Sequence, residues 1–100
     1  MTLKHRMMMS AHGMCIGDNT GEISPRLHHY AVTRAHRGAS MQGTESAALH
    51  STSRVKGPVL LYSDSVVPSL RKLADAVHAA GSKLSITLWH GGHNVSFLEG

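Results

Sequence analysis

The stretch SDSVVPSLRKLADAVHAAGSKLSITLW, residues 63–89, holds one helix and one strand back to back, and their order decides the fold. Ser63, Asp64 and Ser65 offer N-caps, and Pro68 fits only in a first turn, where its missing N–H is no loss. Val67, Leu70, Leu73, Ala74 and Val77 then recur at three- and four-residue spacing and make one apolar stripe. Gly81 stops the helix. Leu84, Ile86 and Leu88 follow in strict alternation, the signature of a strand with one apolar side.

The same order appears upstream. Ser24 is a good N-cap and Pro25 suits the first helical position; Leu27, Tyr30, Ala31, Arg34 and Ala35 trace one face, and Gly38 ends the helix. The segment RMMMS precedes this helix and ASMQGT follows it. Both have strand length, although Gln42 and Gly43 are poor strand formers, and position between two helices carries the second assignment. The predicted order is strand, helix, strand, helix, strand, so the strands run parallel with right-handed crossovers. The fold class is α/β.

In such folds functional residues gather on the loops leaving the C-terminal ends of the strands. Those loops are predicted at residues 11–23, 45–57 and from 90 onward. They hold His12, Cys15, Glu45, Ser46, His50, His90 and His93. The helices hold His28, His29, His36 and His78, which read as surface or partly packed residues.

Composition narrows the function. The 41% hydrophobic and 16% charged content is that of a globular chain, and 100 residues make at most one small domain. No apolar run is long enough for a transmembrane helix. The segment MTLKHRMMMSAHGMC is too broken for a signal peptide, which predicts a cytoplasmic protein. A net charge of +4 is spread without a dense basic run, and four aromatic residues do not make a stacking platform, so nucleic acid is not the expected partner. One cysteine excludes an internal disulfide and a cysteine-based zinc site. The nine histidines are the compositional oddity. A three-stranded parallel sheet with two helices leaves edges and a face uncovered, which predicts part of a larger fold or oligomerisation through open sheet edges.

The segments LKHRMMMSAHGM, RLHHYAVTRAHRGAS, GTESAALHSTSR and LYSDSVVPSLRKLADAVHAAGSKLSITLWHGGHN resemble, in order and spacing, the opening of the old yellow enzyme family of NADH:flavin oxidoreductases. LWHGGHN is more similar to the trimethylamine dehydrogenase and N-demethylase branch than to the enoate reductase branch. The resemblance implies an FMN-dependent (β/α)8 barrel, with the chain as an N-terminal part carrying its first three βα units, 1–100, and NAD(P)H or an amine as the donor to the flavin. It also implies a small-molecule substrate. Ser10, Ala11, His12 and Gly13 then run beside the flavin, as does Ser46. Thr87 stands where the family often has a glutamine that binds the pyrimidine edge. Cys15 becomes a candidate for covalent flavin attachment, and His90 and His93 become substrate-facing candidates. The catalytic groups are not assigned, because the family's proton donors and phosphate site lie on later strands. A whole barrel needs about 250 residues, so the resemblance implies that these residues alone bind FMN weakly or not at all.

Plainer readings stand beside these. His90 and His93 also read as solvated imidazoles on a glycine-flexed loop. A metal-binding half-barrel of His12, His90 and His93 lacks the His-x-His pair expected after the first strand, and no metal site is predicted. Glu45 reads as a structural hydrogen-bonding residue, Cys15 as an inert thiol, and Met7 to Met9 as packing in the barrel wall. A non-catalytic βα remnant or interaction module is the remaining alternative.

Overall fold

The computed structural model describes residues 1–53 and 59–93. Its elements are β1 (Met8–Met9), α1 (Pro25–His36), β2 (Met41–Ala48), β3 (Val59–Leu60), α2 (Val67–Ala79) and β4 (Lys83–Trp89), with 3-10 turns at Ser51–Ser53 and Asp64–Val66. All strand pairs are parallel. β4 follows β2 from Met41↔Lys83 to Ala48↔Trp89. The other edge of β2 is shared: β1 takes its start at Met41 and Gln42, and β3 its end at Ala47 and Ala48. No helix among the described residues is long and apolar enough to cross a membrane.

α1 forms where the caps place it. The Leu27 N–H donates to Ser24 Oγ at 3.1 Å, Pro25 opens the helix, and Gly38 follows it at φ 107°. Leu27, Ala31 and Ala35 are buried. Tyr30 and Arg34 lie at the margin of that face, where the guanidinium stacks 3.2 Å from the ring centre. α2 starts later than its caps suggest. Ser63 accepts from the Ser65 N–H and caps the 3-10 turn, and the α-helix begins only at Val67. Leu73 and Val77 are fully buried, whereas Leu70 and Ala74 are half-buried and Val67 is exposed.

Both helices pack on one face of the sheet. The core joins Ile23, Leu27, Ala31 and Ala35 with Ala47, Val59, Val66, Leu73 and Val77. Gln42 enters this core and donates from Nε2 to the Ala31 carbonyl at 2.8 Å. That bond explains how a poor strand former holds a central position. Paired residues in parallel strands share a face, so register sorts the side chains. Gln42, Ala47, Leu84 and Leu88 point toward the helices. Met41, Gly43, Ser46, Lys83, Ser85 and Thr87 belong to the opposite, inner face.

Between Gly43 and Ser46 the register slips: three steps along β2 match two along β4. This is a β-bulge at Thr44 and Glu45, and both side chains are buried in consequence.

Three expectations change. The second strand does not end at Thr44; it runs to Ala48, so Glu45 and Ser46 lie within β2 rather than on the loop after it. Pairing with β4 and the burial of Ala47 and Ala48 extend it beyond what propensity supports. The rest of the expected 45–57 loop and the tail after residue 93 reach outside the described residues. β1 shrinks to two residues, and Met7 and Met8 are 72% and 54% exposed rather than packed in a wall. β3 was not anticipated, because two apolar residues carry no periodicity.

Candidate functional site

The inner face of β2 and β4 is lined by small and polar groups. Gly43 pairs with Ser85, and Ser46 pairs with Thr87. The bulge breaks the regular ladder here, and the Thr87 N–H turns to Thr44 Oγ1 at 3.4 Å. Ala11, just beyond β1, lies against Gly43. A Cβ built on Gly43 would sit 2.9 Å from both the Ala11 Cβ and its backbone nitrogen. Only glycine allows the first loop to cross β2 this closely. The structure therefore brings Ala11, Ser46 and Thr87 onto one surface.

The remainder of the first loop is held from the helix side. Glu45, 4% exposed, accepts through Oε2 from the N–H groups of Met14 at 3.1 Å and Cys15 at 3.0 Å. Its Oε1 is buried with no hydrogen-bond partner. This grip fixes Cys15 at φ 51°, a left-handed conformation that costs a non-glycine residue about 1–2 kcal/mol. The Cys15 thiol is free and exposed. Glu45 is thus a structural hydrogen-bonding residue acting on the loop that carries the candidates. Ser10, His12 and Gly13 are exposed. The His12 ring turns toward α1, with Nε2 3.1 Å from the Tyr30 hydroxyl and the rings edge to face. A Cβ on Gly13 would meet nothing within 4 Å, so that backbone faces open space.

At the C-terminal ends of β2 and β4 the loops are tied together. The Leu49 N–H donates to the Trp89 carbonyl at 3.2 Å, and the buried Gly91 N–H donates to Ser53 Oγ at 3.2 Å. The exposed rings of His50 and His90 come to 6.2 Å between centres. His93 is exposed, one residue beyond Gly92. Among the described residues no three His, Cys, Asp or Glu side chains gather closely enough to hold a metal ion. The half-barrel metal reading loses its geometry there, with His12 engaged on α1 while His90 stands beside His50.

Sequence reasoning missed Ser85, Gly43 and the Tyr30–Arg34 stack as parts of this region. The first had a readable signal, since Ser85 and Thr87 alternate with Leu84, Ile86 and Leu88. The pairing of His50 with His90 had none, because it depends on register.

A family model, the NADH:flavin oxidoreductase / NADH oxidase family, matches residues 1–99. The chain belongs to that family. Members of this FMN-dependent family among curated proteins include a probable N-methylproline demethylase from Rhizobium meliloti, 33% identical over all of this chain and 15% of its own length. The NADPH dehydrogenase of Listeria monocytogenes is 37% identical over 91% of this chain and 28% of its own. Among solved structures, a 2-naphthoyl-CoA reductase complex superposes with a TM-score of 0.87 at 26% identity, over 97% of this chain and 15% of that one. Morphinone reductase, at 21% identity and a TM-score of 0.84, shows the shared fold. The chain of this flavin oxidoreductase family is therefore a partial (β/α)8 barrel, and it spans between 15% and 28% of the length of these relatives.

Proposed function

We propose that the chain supplies one wall of the FMN pocket in an NADH:flavin oxidoreductase, with the inner face of β2 and β4 turned to the flavin. The observation that carries this reading is the juxtaposition of Ala11, Gly43, Ser46 and Thr87 on a single small-residue surface. A planar ring system needs such a surface to approach a sheet closely, and hydroxyls can both donate to and accept from the polar edge of a flavin. The residues present fit the group. FMN, when bound, supplies the hydride-transfer chemistry, and the protein supplies position and electrostatics. Ser10, Ala11, His12 and Gly13 would flank the flavin from the first loop, held there by Gly43 and Glu45. Ser46 and Thr87 would bind its edge, with Thr87 standing in for a longer glutamine.

On the same reading His90 and His93 face a small-molecule substrate beyond the strand ends. NAD(P)H is the electron donor, as the names of the NADPH dehydrogenase relatives suggest. Cys15, exposed and unpaired, is the candidate for covalent attachment of the flavin. The lone cysteine is in keeping with a cytoplasmic location. Val67, Ile86 and Leu88 leave apolar surface exposed beside the outer edge of β4, and that edge is the place for association with further βα units or another copy.

FMN titration followed by backbone amide NMR tests the wall. Weak binding with shifts concentrated at residues 10–13 and at Ser46, Ser85 and Thr87 is the expected result. Shifts confined to α1 and α2, or none at millimolar FMN, would refute it. Tight stoichiometric binding would overturn the expectation that these residues alone hold FMN weakly. A flavin that stays with the protein through acid precipitation, and is lost in Cys15→Ser, would establish the covalent link.

A further inference from the structure

We propose that His50 and His90 form an oxyanion-binding subsite, taking a carboxylate or phosphate group of a small molecule at the mouth of this wall. Its place in catalysis rests on the flavin-wall reading above; its chemistry rests on the two rings alone.

The Thr52 N–H donates to His50 Nδ1 at 3.3 Å, and the Thr52 hydroxyl lies 3.0 Å from the same nitrogen. The Gly92 N–H donates to His90 Nδ1 at 3.1 Å. A backbone N–H has no acceptor role, so each Nδ1 must be the acceptor. In the neutral ring the proton then sits on Nε2. Both imidazoles have the same local arrangement, a bond from the residue two positions on, and each retains a single Nε2–H donor.

Those donors are placed by the sheet. Leu49 and Trp89 are joined by a backbone bond immediately before the two histidines, and the Gly91 N–H is anchored on Ser53 Oγ immediately after His90. Ring centres 6.2 Å apart with planes inclined at 45° leave a gap that one carboxylate or phosphate group can span. No carboxylate among the described residues is hydrogen-bonded to either ring. A metal ion would need a lone pair on an outward nitrogen, and here the lone pairs are already turned to the backbone, so the pair selects anions over cations. The net charge of +4 favours the approach of an anion. Along the chain the pair lies four residues beyond Ser46 and three beyond Thr87, at the C-terminal ends of β2 and β4.

The test is long-range proton–nitrogen NMR of the histidine rings in the 100-residue chain, titrated separately with sodium acetate and sodium phosphate against sodium chloride at equal ionic strength. Nε2–H tautomers at His50 and His90, and saturable shifts confined to these two rings, are the expected result. Preference for acetate or for phosphate identifies which group the subsite takes. His50→Ala and His90→Ala should each weaken binding about tenfold, the loss of one hydrogen bond to a charged group. The proposal is overturned by an Nδ1–H tautomer at either ring, by parallel shifts at all the histidines, by equal shifts in chloride, or by saturable zinc binding at the pair. Neither anion requires flavin, so a failed FMN titration leaves a positive result standing. FMN shifts at Ser46 and Thr87 without anion binding remove the subsite alone.

Discussion

Glu45 holds the first loop from within β2, and its removal tests that grip directly. Its Oε2 takes two backbone N–H groups, from Met14 and Cys15, and hydrogen bonds to a charged group contribute about 1.5–3 kcal/mol each. Its Oε1 is buried without a partner, which offsets about 1–3 kcal/mol of that gain. Glu45→Ala therefore should destabilise by about 2–3 kcal/mol, and in a domain of this size that lowers Tm by roughly 10–20 °C. Glu45→Gln keeps a carbonyl oxygen where the two donors converge and loses only the charge, a cost of about 1 kcal/mol. Urea unfolding followed by circular dichroism gives both values. The rate of Cys15 alkylation reports the loop independently, since a released loop lets Cys15 leave its left-handed conformation. Glu45→Ala within about 0.5 kcal/mol of wild type, the ordinary range for surface changes, and with an unchanged alkylation rate, would refute the idea that Glu45 holds the first loop.

Gly43→Ala forces the first loop away from β2, because the new methyl meets the Ala11 backbone; a loss of about 1–3 kcal/mol in urea unfolding, with amide shifts concentrated at residues 10–13 and 43–46, is the expected outcome. Leu73→Ala removes a fully buried side chain between the helices and the sheet and should cost about 2–5 kcal/mol by the same measurement. The Thr20 hydroxyl, and then its N–H, hold the Asp18 carboxyl below its ordinary 3.8. A lowered folded pKa contributes stability that is present above 3.8 and lost as pH falls through the folded value. Carboxyl carbon NMR should show Asp18 titrating below 3.8 and moving back toward it in Thr20→Val.

Much of the architecture was legible in local chemistry. Ser24 with Pro25 and the positive-φ Gly38 and Gly81 bracket helices wherever they occur, and the alternation of Leu84, Ile86 and Leu88 marks a strand without reference to anything distant. The helix at Ser63 was misplaced by a turn because the same cap chemistry serves a 3-10 turn as well as an α-helix. The family was legible too, since motif order survives in a chain of this length. The site was legible in part. Ser46 and Thr87 could be named, but not seen as partners across a strand pair.

By itself, then, the sequence determined the α/β alternation, the parallel order and the family, because caps, periodicity and motif order act between residues a few positions apart. Tertiary structure alone decided the length of β2, the bulge at Thr44 and Glu45, the crossing of Ala11 over Gly43 and the meeting of His50 with His90. Each of these depends on how segments some thirty to forty residues apart in the chain are brought into register. A single step of register moves every side chain to the other face, and no local pattern fixes that step.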